Sequence, residues 1–174
     1  MKRSFMFICA AALLLTGCGA SADEASAQLF AMDTVMQLDA YGHQVKQAVS
    51  DAEETIQALE ARLSRTREDS LVSVLNQNGA AQDLSAAEQA LLSEALTFRD
   101  ATGGAFDITI APVMDAWGFT GDSYRVPAQD ELDALLENVN SDEIRLSGSS
   151  VTLGAGQAID LGGIAKGYTS DCVE

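Results

Sequence analysis

A chain of 174 residues with 26 acidic against 10 basic side chains carries a formal charge of −16. That charge excludes nucleic acid as a partner and disfavours adhesion to anionic lipid through the protein surface. Apolar residues make up 47% of the chain, which excludes disorder on compositional grounds and provides for one domain with a sizeable core.

In chain order, Lys2 and Arg3 precede an apolar run from Phe5 to Leu15 that is too short to span a bilayer as a stable helix. The run ends in Leu15, Thr16, Gly17 and Cys18, which resembles the lipobox at which bacterial lipoprotein precursors are cleaved. Residues 1–17 are therefore expected to be a signal peptide and Cys18 the lipid-bearing first residue of the mature chain. Residues 18–28, small and polar, are expected to be a flexible tether, and residues 29–174 the folded body. The competing reading is an ordinary secretory signal cut near Ala20, which yields a soluble product. The expected location is the outer face of the bacterial cell membrane, or the periplasm. Cys9 leaves with the signal and Cys18 takes lipid, so only Cys172 remains and no internal disulfide can form. Cys172 is expected to be a small buried apolar residue.

Gln28 to Tyr41, with Leu29, Met32, Val35, Met36 and Leu38, reads as a strand or a bent strand pair closed by Gly42. From His43 to Leu63, Val45, Ala48, Val49, Ala52, Ile56, Leu59 and Leu63 recur at three and four residues, which predicts an amphipathic helix. Asp69 or Ser70 can cap a short helix through Asn76 that Asn78 and Gly79 terminate. Ser85 followed by Glu88 makes a capping box and opens a helix with Leu91, Leu92, Ala95, Leu96 and Phe98 inward, stopped near Gly103 and Gly104. Pro127 fits a first helical turn, and Leu132, Leu135, Leu136 and Val139 make the next helix. Strands at about 143–146 and 151–153 flank the turn SGSS, a hairpin signal. The last helix begins near Ile164. Helices interleaved with short strands give an α+β fold, and the chain is expected to be cut short at Glu174 because no helix stop or return strand follows.

Three segments join glycines or turn residues to a carboxylate and an apolar anchor, as a backbone approaching a phosphate or cofactor requires. They are AMDTVM (31–36), TGGAFD (102–107) followed by ITIAPVMDAWGF, and IDLGGIAKGY (159–168). The plainer reading of the first is a strand face. For the second it is a helix stop and a buried strand, with Trp117 and Phe119 as core aromatics. The third lacks both the GxxxxGK[ST] and the GxGxxG spacing, which leaves an anion site or a plain tight turn with a surface Lys166. His43 is the only histidine; it excludes a multi-histidine zinc site and sits where a helix-cap residue belongs.

Taken in order, AMDTVM, LSRTREDSLVSVLN, GGAFDITIAPVMDAWGF and IDLGGIAKGY resemble the ApbE family of FAD:protein FMN transferases, from about Phe30 to the end of the chain. The resemblance implies a single domain of mixed sheets flanked by helices. It implies FAD contacts at Met32, Ala105, Phe106, Asp107, Asp160 and Lys166, and a Mg²⁺ ligand in the backbone carbonyl of Gly163. The family's later aspartate and threonine Mg²⁺ ligands fall beyond Glu174. Many members have MGT where this chain has Asp33 between Met32 and Thr34, and some place a tyrosine against the flavin where this chain has Thr66. The implied reaction is attack by a threonine hydroxyl of a target flavoprotein on the FMN-side phosphorus of FAD, with AMP leaving. The implied acceptors are flavoprotein subunits of membrane redox complexes. Two other readings stay open: a Mg²⁺-dependent FAD pyrophosphatase using water at the same site, and a flavin-binding lipoprotein without turnover.

Overall fold

Alternation of small or apolar with polar side chains produces two paired strands, β1 (Asp23–Ala31) and β2 (Thr34–Gly42), antiparallel with Asp23 opposite Gly42 and Ala31 opposite Thr34. This structure is a computed structural model that describes residues 23–121 and 123–174, so the expected signal segment and lipidation at Cys18 lie outside the described residues. The register leaves a two-residue turn, which Met32 and Asp33 occupy at φ +51° and +57°. That is the left-handed geometry of a type I′ hairpin, where glycine or asparagine is the usual occupant. Strand β1 starts at Asp23, so residues 23–28 are paired strand and not the flexible tether expected of them. Their alternation puts Ala25 and Ala27 on the half-buried face, which a purely compositional reading cannot see.

Helix α1 (Val45–Leu63) packs against both strands, burying Val45, Val49, Ile56 and Leu63, while Ala48 stays exposed. His43 is exposed; the residue at the helix cap is Gln44, which makes no side-chain cap bond. Helix α2 (Leu71–Asn78) is capped by Ser70, whose hydroxyl accepts from the Ser73 N–H, and ends at Gly79 with φ +68°. Strand β3 (Ala80–Ala81) follows, then α3 (Ala86–Ala101), opened by the full Ser85/Glu88 capping box. The segment after TGGAF is not a strand. Asp107 accepts from the Thr109 N–H and starts a 3₁₀ turn, Ile108–Ile110, that runs into α4 (Ala111–Trp117) with Pro112 in its first turn.

Helix α5 (Gln129–Leu136) begins two residues after Pro127, stops short of Val139, and buries none of its side chains. Strands β4 (Arg145–Ser147) and β5 (Ser150–Thr152) form the expected hairpin, and β5 also pairs with β3, giving the order β3-β5-β4. Helix α6 (Ala165–Val173) closes the chain against α1. The main core joins Leu63, Val72, Leu75, Leu91, Leu92, Ala95, Ile108, Val151, Ile159 and Leu161 from these elements. Two further expectations fail at its rim. Phe98 is 49% exposed, meeting Phe106 edge-on with centroids 6.2 Å apart. Cys172 is exposed although it follows Ala165 and Thr169 on one face of α6, because it falls in the helix's last turn, past the point where the core covers that face.

Candidate functional site

A cleft of about 240 Å³ opens where the β1–β2 turn, the end of α1, the loop after α4 and the turn before α6 converge. Met32 and Asp33 enter from the hairpin, Glu60 and Leu63 from α1, Arg65 and Thr66 from the following loop, Phe119 and Thr120 from the loop after α4, and Asp160, Gly162 and Lys166 from the last segment. The strained turn is held in place from two sides. The Met32 N–H donates to Glu60 Oε1 at 3.0 Å, and Thr169 Oγ1 lies 3.6 Å from the Met32 sulfur. A left-handed Asp33 costs more than a glycine at the same position would, and such geometry concentrates at functional sites.

The turn at 159–163 is placed by Asn76, the last residue of the LSRTREDSLVSVLN motif. Its side-chain amide donates to the Ile159 carbonyl at 2.9 Å and accepts from the Ile159 N–H at 2.7 Å, standing in for a neighbouring strand. The Asp160 N–H donates to the Ile108 carbonyl at 2.8 Å. The Asp160 carboxylate then accepts from the Gly162 N–H at 2.7 Å. A Cβ at Gly162 would sit 2.9 Å from that same oxygen, so the glycine permits the bond. On the far side, a Cβ at Gly163 would come within 3.0 Å of the Phe106 ring.

Arg65, which no residue pattern in the sequence singles out, links two carboxylates at the cleft. Its side chain is only 12% exposed; Nη1 donates to Asp115 Oδ1 at 2.8 Å, and Nε lies 3.0 Å from Asp160 Oδ2, itself 17% exposed. The Nε approach is an ion pair without hydrogen-bond direction, and Nη2 is buried with no partner among the described residues. Asp115 also accepts from Thr120 Oγ1 at 2.6 Å, so one carboxylate ties the loop after α4 to Arg65 and through it to Asp160. The signal available in sequence was two arginines in a loop otherwise built for capping, which does not say which of them turns inward.

Of the residues assigned to FAD by resemblance, Met32, Asp160 and Lys166 line the cleft together. Ala105, Phe106 and Asp107 do not. Ala105 is exposed away from it, and Phe106 packs behind the Gly163 turn. Asp107 faces inward, its side chain 7% exposed. It accepts from the Thr109 N–H at 2.8 Å, Thr109 Oγ1 at 2.6 Å, the Ser141 N–H at 3.0 Å and the Ser141 hydroxyl. Burial pushes this carboxyl upward, but the bonds from Ser141 and Thr109 outweigh it and hold the group below the usual carboxylate range. Asp107 therefore joins the 3₁₀ turn to the segment entering β4.

The magnesium expected at the Gly163 carbonyl finds no supporting set. Among the described residues no three His, Cys, Asp or Glu side chains converge to hold a metal ion, and the Asp160 charge is already met by Arg65. One neutral carbonyl does not satisfy a hard cation that prefers octahedral oxygen ligation, so the described residues do not by themselves make a magnesium site.

The α+β arrangement around this cleft is that of solved flavin transferases. The crystal structure of the ApbE protein from Thermotoga maritima matches with a TM-score of 0.82 at 27% identity, over 87% of this chain and 51% of that one. The flavin transferase ApbE from Vibrio cholerae shows the same fold with a TM-score of 0.76 at 24% identity, over 87% of this chain and 52% of its own. The ApbE family model matches residues 32–174, and the chain belongs to the ApbE family. Relatives named FAD:protein FMN transferase are similar in sequence. That of Treponema pallidum is 32% identical over 74% of this chain and 38% of its own length, and that of Vibrio cholerae 26% identical over 98% and 54%. The chain thus spans about half the length, or less, of the curated relatives it matches.

Proposed function

We propose that the protein transfers FMN from FAD to a threonine hydroxyl of a target flavoprotein, with release of AMP. One observation carries the reading. Met32, Asp160 and Lys166, assigned to FAD through motifs at opposite ends of the body, line a single cleft in a chain of the ApbE family. In the reaction the acceptor oxygen bonds to the FMN-side phosphorus, the bond from that phosphorus to the bridging oxygen breaks, and AMP departs with the electron pair. The hydroxyl proton passes to solvent. Of the two cations lining the cleft, Arg65 is engaged by Asp115 and Asp160. Lys166 forms no ion pair with another described residue and is the cation available to a diphosphate. Asp160, fixed by Gly162 and Arg65, is the acceptor available to the nucleoside part. A cavity of about 240 Å³ lies below the range of about 300–1,000 Å³ usual for drug-sized ligands, so it takes part of FAD and not the whole dinucleotide.

The proposal includes a magnesium requirement, on the family's chemistry alone, and export with lipid attachment at Cys18. This location would put the enzyme on the outer face of the cell membrane beside flavoprotein subunits of redox complexes. The test is incubation of the whole protein with FAD, Mg²⁺ and a threonine-bearing acceptor, followed by in-gel flavin fluorescence and AMP quantitation. Covalently fluorescent acceptor with stoichiometric AMP is the expected result. Free FMN and AMP without labelled acceptor would instead indicate a pyrophosphatase, and bound FAD with no AMP a binding protein.

A further inference from the structure

Phe119 is 53% exposed yet is not a stray surface ring. It lines the cleft that holds Met32, Asp160 and Lys166. Trp117 stacks on it with centroids 6.2 Å apart and planes 15° from parallel, and Tyr124 meets it edge-on at 6.0 Å. The loop that carries it is built for this position. Gly118 turns the chain at φ +81°, and a Cβ there would lie 2.1 Å from the Ser123 carbonyl oxygen, so the loop can double back only at a glycine. Thr120, the next residue, is tied to Asp115, and Asp115 through Arg65 to Asp160. The ring is thereby held by two aromatic neighbours and fixed relative to the polar end of the cleft.

Resting on the flavin-transfer reading, we propose that Phe119 is the stacking shelf for a flat heteroaromatic ring of the bound nucleotide. Trp117 lies alongside Phe119 in a near-parallel, laterally offset arrangement, and the half of the ring left exposed is its contribution to the cleft. A half-exposed aromatic surface in water gains when a planar π-system covers it, and offset stacking needs a platform whose orientation is already fixed. The charged groups sharing the cleft, Asp160 and Lys166, suit a ligand that carries hydrogen-bonding groups and phosphate, and a ligand that also offers a planar ring is a nucleotide, not a phospholipid or an aliphatic molecule. The shared chemistry is a planar heteroaromatic ring, supplied in FAD by either the isoalloxazine or the adenine.

The experiment measures affinities of the whole protein, unmodified and carrying Phe119→Ala, Phe119→Leu or Phe119→Trp, for FAD, riboflavin and AMP, by flavin fluorescence quenching and calorimetry. Loss of one stacked ring lowers affinity about 5- to 140-fold. Phe119→Ala and Phe119→Leu should weaken FAD by that factor and lose the quenching, with Phe119→Trp restoring both and thermal midpoints nearly unchanged. A parallel loss for riboflavin and not AMP assigns the shelf to the isoalloxazine, and the reverse assigns it to adenine. FAD affinity within twofold in both Phe119→Ala and Phe119→Leu overturns the shelf. The same affinity with a raised KM for the acceptor protein overturns it in favour of a docking role. If the unmodified protein binds FAD in none of these assays, the flavin-transfer reading falls and the shelf with it.

Discussion

Asparagine at position 107 should destabilise the protein severely and flatten its acid sensitivity, because the Asp107 carboxylate is committed to protein donors. Oδ1 accepts from the Thr109 N–H, the Thr109 hydroxyl and the Ser141 hydroxyl, and Oδ2 from the Ser141 N–H. An asparagine can present its carbonyl to the first three but sets an amide N–H against the Ser141 N–H. One unmet buried donor costs about 1–3 kcal/mol, and making three charge-assisted bonds neutral costs up to about 1 kcal/mol each. These losses share one group and do not add fully, so about 3–4 kcal/mol is expected. With a urea slope of about 2 kcal/mol/M, the midpoint falls by roughly 1.5–2 M. The sign of the pH effect follows from the lowered pKa of the folded carboxyl. Its contribution is fully present above the unfolded value of about 3.9 and is lost as pH falls through the lower folded value. Urea midpoints of wild type and Asp107→Asn across an acidic pH series should therefore converge toward the low end. A loss under 1 kcal/mol at neutral pH, or an equal pH slope in both proteins, would refute the reasoning.

Two further substitutions probe the groups that place the cleft. Asn76→Ala leaves the N–H and carbonyl of Ile159, a residue 1% exposed, without their partners. The expected cost is about 2–4 kcal/mol, together with weaker FAD binding as Asp160 loses its fixed position; denaturation and FAD titration read the two effects separately. Arg65→Gln should cost about 1–3 kcal/mol, less than a fully buried pair because both partners keep some exposure. A double-mutant cycle with Asp160→Asn should return a coupling near or above about 1 kcal/mol, and zero coupling would show the pair to be incidental.

Local rules account for much of the chain. Ser70 and the Ser85/Glu88 pair start helices because their side chains meet the orphan N–H groups of a first turn, a requirement settled within four residues. Gly79 stops one for the equally local reason that left-handed φ suits it. The SGSS hairpin and the amphipathic stripe of α1 were legible on the same grounds. Helix α5 was legible as a helix but not as one that buries nothing, since periodicity marks an apolar face without saying what covers it.

Motif order in the sequence was sufficient to bring out the family and to single out Met32, Asp160 and Lys166, which the fold then gathers into one cleft. Tertiary structure alone decided that Asp107 turns inward onto Ser141, that Phe106 supports the Gly163 turn from behind, that Arg65 bridges Asp115 and Asp160, and that Phe119 stands open in the cleft. The physical reason is range. A cap or a turn is fixed by neighbours in the chain, whereas the direction of a carboxylate, guanidinium or ring is fixed by partners that only folding brings within reach.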